Sequence, residues 1–153
     1  HMDDRIHDIV RTQHALFGAA ELCGLWNSRK VAGMGVSWLL TRTGIALATQ
    51  LGVRTLFGIC ANITLPMFEK TGYTIERSIG KNGTFYYPNS DLLAYTIIMN
   101  AQSLDNAQME EKDKIMEIRK DFNQRVFESG PKSIMEVQYD LVINQIELAE
   151  VLR

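Results

Sequence analysis

The spacing of apolar residues changes along the chain, and each change predicts an element. Ile6, Ile9, Val10 and Leu16 recur at helical intervals behind Asp3 and Asp4, where acidic side chains suit the helix dipole, so a short helix is expected over 3–15. Phe17 to Trp26 is almost continuously apolar, with one carboxylate, Glu21, in its middle; this reads as a buried strand with a polar exception. From Gly35 to Leu51, Val36, Leu39, Leu40, Ala46 and Leu47 return to helical spacing, and Gly52 stands where a helix-ending glycine would. Gly44 inside that helix costs about 1 kcal/mol relative to alanine, which points to a close packing contact. Val53 to Cys60 is rich in β-formers and reads as a second strand, parallel to the first because a helical crossover separates them.

Thr64 to Thr71 predicts a short helix with Pro66 in its first turn and Gly72 past its end. Tyr73 to Ile79 predicts a strand, 80–83 a turn, Thr84 to Tyr87 an extended run up to Pro88, and Leu92 to Met99 a last apolar strand. Beyond Ala101, Lys and Glu alternate around a thin stripe of Met109, Ile115, Ile118, Phe122 and Val126, which predicts a long amphipathic helix over 103–128. After a break at Ser129-Gly130-Pro131, a final amphipathic segment is expected from Ile134 to Leu152. The order is β-α-β-α-β-β followed by helices: an α/β domain over 3–101 and a helical extension over 102–153, packed on the domain or on a partner chain.

The glycines of Lys30-Val31-Ala32-Gly33-Met34-Gly35 fall at the predicted strand-to-helix turn. A helix start carries unpaired N–H groups and partial positive charge, and glycine lets an anion approach the backbone because no Cβ intervenes. A phosphate cradle and a plain glycine turn before a buried helix both satisfy the pattern.

Composition narrows the classes. A net charge of −2, with 46% apolar and 22% charged residues, suits a globular protein and gives no reason to expect nucleic acid. No apolar run approaches the roughly 20 residues of a membrane span, and no secretion signal opens the chain, so a cytoplasmic location is expected. His1 and Met2 read as a cloning remnant. Cys23 and Cys60 sit in apolar runs without partners at metal-ligand spacing and read as buried small hydrophobes. His7 and His14 lack the carboxylate or thiolate company of a metal site and read as surface residues; no metal is expected.

From Ala20 to Tyr73 the sequence resembles the GNAT superfamily of N-acyltransferases. Glu21-Leu22-Cys23-Gly24-Leu25-Trp26 is similar to that family's fourth strand, and Lys30 to Gly35 to its glycine loop. Gly52-Val53-Arg54-Thr55-Leu56 is similar to the entry of its fifth strand, and Met67-Phe68-Glu69-Lys70-Thr71-Gly72-Tyr73 to its Leu-Tyr-Glu-Lys-x-Gly-Phe signature. Ile79-Gly80, Gly83 and Tyr86-Tyr87-Pro88 are similar to the branch of N-acyl amino acid synthases and acyl-homoserine-lactone synthases. The resemblance covers about residues 17–100 and implies a GNAT-like mixed sheet, with only a short segment where family members carry their acceptor-binding strands and helices. Lys30 stands where Arg or Gln is usual, and Phe68 where the signature tyrosine would be the general acid.

The resemblance implies acyl transfer from acyl-CoA, or from the phosphopantetheine of acyl carrier protein, to an amine. The backbone around Leu25 and Trp26 would pair with the pantetheine, while Lys30, Val31, Ala32, Gly33, Met34 and Gly35 would hold its phosphate. Glu21 is the candidate base, with a strand carboxylate satisfied by a neighbour as the competing reading; Tyr73 or Tyr87 would replace the missing acid. The alternative to an enzyme is a non-catalytic half-GNAT binding or structural module. Under either, a bare sheet edge predicts a homo-oligomer.

Overall fold

The computed structural model describes residues 4–143; Asp3 of the predicted first helix and the part of the predicted last segment beyond Ile143 lie outside the described residues. Helix α1 (Arg5–Phe17) runs on through Phe17, which was expected to open a strand. Two contacts hold it there: the Arg54 guanidinium, distant in sequence, lies 4.2 Å from the centre of the Phe17 ring, and Gly18, at φ 73°, ends the helix while its N–H bonds the His14 carbonyl. Strand β1 is correspondingly short, Ala19–Glu21.

After a single turn of tighter helix at Arg29–Val31, α2 (Val36–Leu47) leads to β2 (Thr55–Ala61), α3 (Leu65–Thr71), β3 (Thr74–Ile75), β4 (Thr84–Tyr86) and β5 (Leu93–Asn100). The mixed sheet expected from the sequence is present. β1 and β2 are parallel, β2 and β5 antiparallel from Thr55↔Asn100 to Ala61↔Ala94, and β3 and β4 lie in tandem along the other side of β5. The predicted 73–79 strand shrinks to Thr74–Ile75 because the Glu76 carboxylate accepts from the Ser78 N–H (3.0 Å) and hydroxyl (2.6 Å), turning the chain out of the sheet. The Gly44 contact is with Leu22: a Cβ there would come within 2.5 Å of Leu22 Cδ1.

The expected long helix over 103–128 is α4, Met109–Lys120 only. β6 (Arg125–Ser129) and β7 (Ile134–Gln138) follow as an antiparallel hairpin with Val126 opposite Val137. Here the spacing is two, not 3.6: Val126 and Glu128 turn inward while Phe127 is exposed, and Met135 and Val137 turn inward while Ile134 and Glu136 are exposed. Gly130 and Pro131 fall in the connecting loop, where neither has to serve a ladder.

The core gathers Ile45 and Ala46 of α2, Met67 and Phe68 of α3, Ile97 and Met99 of β5, and Ile115 and Ile118 of α4, with Tyr73 and Tyr139 beside them. One buried ion cluster ties the layers together. Arg42 of α2 meets Glu111 of α4 and, at 3.5 Å, Glu128 of β6, and its guanidinium lies 5.7 Å from the Trp38 ring centre. Burial alone would depress the Arg42 pKa, but the Glu111 hydrogen bond and the charges of Glu111 and Glu128 outweigh it and hold the pKa above the ordinary arginine value. No helix of the described residues is long and apolar enough to cross a membrane.

Candidate functional site

β1 and β2 pair through Ala19↔Thr55, Ala20↔Leu56 and Glu21↔Phe57, and the Leu22 N–H then donates to the Phe57 carbonyl at 2.8 Å. After that rung the strands part. Gly24, at φ 69°, turns the first chain away, while β2 continues to Ala61 with only β5 at its side. Amides along a strand alternate in direction, so Ile59 and Ala61 aim their N–H groups toward the vacated side, as Phe57 does; neither finds an acceptor among the described residues.

A cleft of about 370 Å³ opens at this parting, lined by Glu21, Cys23 and Gly24 on one side, Ile59, Cys60 and Ala61 on the other, with Tyr87, Pro88 and 92–94 across its end. Glu21 is exposed, and its carboxylate makes no hydrogen bond or ion pair among the described residues, so the reading of a satisfied strand carboxylate has no partner to support it. The Tyr87 ring is 56% exposed and 6.3 Å from that of Phe85. Burial pushes the Cys60 thiol pKa up to about 11, with the charge of Glu69 adding to the rise, so Cys60 remains protonated. Cys23 is exposed, not buried as its apolar surroundings in sequence suggested, because β1 has already ended.

The glycine turn lies where the sequence placed it. Gly33 and Gly35 take φ of 77° and 92°, and Gly35 stands at the start of α2. Lys30, Val31, Ala32 and Met34 spend their N–H groups within the turn, on Ser28, Arg29 and Val31, whereas those of Gly33, Gly35, Val36 and Ser37 meet no acceptor among the described residues. The turn is also covered. Lys132, in the β6–β7 loop, donates from Nζ to the Ala32 carbonyl at 3.2 Å, and a Cβ on Gly33 would lie 2.8 Å from Lys132 Cε. Pro131 packs on Gly35, and a Cβ on Gly130 would strike the Met34 carbonyl at 2.1 Å.

The other predicted site residues divide. Leu25 packs its side chain on the core edge, and Trp26 is 78% exposed on the segment leaving β1. Tyr73 is 1% exposed, edge-on to Phe68 at 5.3 Å, with its hydroxyl buried and unpartnered and its pKa raised by burial. It lines neither principal cleft, so Glu21 and Tyr87 are brought together while Tyr73 is not. Sequence reasoning missed the hairpin tip over the turn; the signal was the period-two alternation on either side of Gly130-Pro131.

No protein-family model matches the chain, and no curated protein matches it by sequence. Among solved structures it is similar to a CoA-dependent acyl-homoserine lactone synthase, MesI, at 13% identity and a TM-score of 0.45 over 67% of this chain and 47% of that one. The chain therefore spans about half the length of that protein.

Proposed function

We propose that this protein binds the phosphopantetheine arm of an acyl donor, acyl-CoA or acyl carrier protein, between β1 and β2 and transfers the acyl group to an amine. The parting of the strands after the Leu22–Phe57 rung carries the reading, because it leaves two unpaired strand amides beside an unpartnered carboxylate and a phenol. The N–H of Ile59 or Ala61 polarises the thioester carbonyl; the amine forms the C–N bond as the C–S bond breaks. Glu21 takes the amine proton, directly or through water, and Tyr87, in place of Tyr73, supplies one to the departing thiolate. The backbone at Leu25 and Trp26 pairs with the arm, and the Gly33 and Gly35 amides with Lys30 meet its phosphate once the hairpin tip yields. Self-association along the outer edge of β1 completes the proposal, since no strand pairs there among the described residues.

Thermal unfolding with CoA, acyl-CoA and acyl carrier protein tests donor binding: a ligand at a hundred times its Kd adds about 2.7 kcal/mol. No stabilisation by any of the three overturns the reading. A second reading, a non-catalytic module in which the glycine turn is a packing seam, is favoured by the hairpin tip seated on Gly33 and Gly35. Thiol release with a panel of amines separates the two, since the module binds donor without turnover.

A further inference from the structure

A second cleft, of about 540 Å³, meets the first at Leu93, and none of the residues assigned to the proposed transfer lines it. It is lined by Ile75, Arg77 and Lys81 of the β3–β4 region, Thr84 to Tyr86 of β4, and Leu93 and Tyr95 of β5. Register places Ile75, Thr84, Tyr86, Leu93 and Tyr95 on one face of the sheet, because Thr84 is opposite Tyr95, Tyr86 opposite Leu93 and Ile75 opposite Ile97. One face thus supplies two phenol rings and aliphatic walls, and the loop adds two cations.

No acidic residue lines this cleft, although the chain as a whole carries a net charge of −2. The side chains of Arg77 and Lys81 form no ion pair or hydrogen bond among the described residues, unlike Arg11, Arg42, Lys114, Lys120 and Arg125, which all have carboxylate partners. Nearby Glu76 forms no ion pair with either; its Oε1 accepts from the Ser78 N–H and hydroxyl instead. The loop holding the cations is tightly built. Gly83, at φ 88°, has no room for a Cβ, which would sit 2.2 Å from Ile75 Cγ2, and the Glu76 N–H and Gly83 carbonyl both bond to Thr96. Two unpaired cations beside aromatic walls, on a loop whose backbone is fixed, give the cleft an anion-binding end.

The kind of anion follows from the donors that remain. The N–H groups of Ile79, Lys81, Gly83 and Thr84 are consumed in the turns, so no cluster of amides is left to surround a phosphate. A guanidinium fork and one ammonium match the two oxygens of a carboxylate. We propose that this cleft binds a small monocarboxylate with an apolar, ring-sized body, the carboxylate on Arg77 and Lys81 and the body between Tyr86, Tyr95 and Leu93. The site needs neither the glycine turn nor Glu21, so it stands or falls separately from acyl transfer.

Titration of the protein with 4-phenylbutyrate, 4-phenylbutan-1-ol and phenyl phosphate, followed by amide chemical shifts, tests it. The carboxylate is expected to saturate, with shifts centred on 75–86 and 93–95, and Arg77→Gln or Lys81→Gln is expected to weaken it about tenfold while leaving other amides in place. Equal binding of the alcohol, tighter binding of the phosphate, shifts centred on Glu21 and Tyr87, or no saturation at millimolar carboxylate each overturns the assignment.

Discussion

Arg42 and Glu111 meet fork to fork, Nε to Oε2 at 2.6 Å and Nη2 to Oε1 at 2.8 Å, with the side chains only 7% and 8% exposed. The pair joins α2, which the glycine turn leads into, to α4, and through Glu128 to the hairpin that covers that turn. A charge pair in this position fixes relative placement more than it adds stability, because both ions lose their water. Removing one partner strands the other. Arg42→Ala is therefore expected to cost about 3–5 kcal/mol in urea unfolding, and Arg42→Lys to recover only part of it, lacking the fork.

Tyr73→Phe should behave in the opposite sense. Its hydroxyl is buried without a partner, so removing it is expected to leave stability unchanged or raise it by about 1 kcal/mol. Tyr87→Phe is expected to leave stability unchanged, because its ring is exposed, and to slow amine-dependent thiol release about a hundredfold. If Tyr73→Phe instead abolishes turnover while Tyr87→Phe does not, the acid is misassigned.

Cys60 ties stability to alkaline pH. Its folded pKa of about 11 lies above that of an exposed thiol, so between about pH 9 and 11 the unfolded chain loses a proton that the folded chain keeps. Stability is full below that window and falls as pH rises through it, by about 2–3 kcal/mol. Cys60→Ala should flatten this part of the pH profile, measured by urea midpoints.

At the covered glycine turn, Lys132→Ala removes one exposed hydrogen bond and is expected to change stability by less than about 0.5 kcal/mol. Gly130→Ala puts a methyl against the Met34 carbonyl and should cost about 1–3 kcal/mol by forcing hairpin and turn apart. Hydrogen exchange at 33–37 reads the separation. Because the tip must yield before the donor phosphate enters, Lys132→Ala is also expected to tighten CoA binding, and weaker binding would show that Lys132 Nζ holds the phosphate instead.

The sequence made the α/β alternation, the parallel β1–β2 pair and the glycine turn legible, because each rests on local spacing and on residues that act through their own backbone. Gly33, Gly35 and Gly72 all take left-handed conformations at the turns where they were expected. What it hid depended on distant partners. Phe17 looks like the start of a strand until Arg54 is stacked on it, and Val126 fits a helical stripe as well as a strand until Val137 stands opposite. Tyr73 and Tyr87 could not be ranked from sequence, since only the packing of Phe68 against one and the cleft beside the other distinguishes them.

Leu93, at the start of β5, belongs to the linings of both clefts. The two clefts therefore share a wall, and a ligand in one that shifts Leu93 is felt in the other. Linkage makes the sharing symmetric: whatever factor a carboxylate at Arg77 imposes on donor affinity at Glu21, the donor returns to the carboxylate. Leu93→Ala would take one contact from the carboxylate's apolar body and bring that factor toward one.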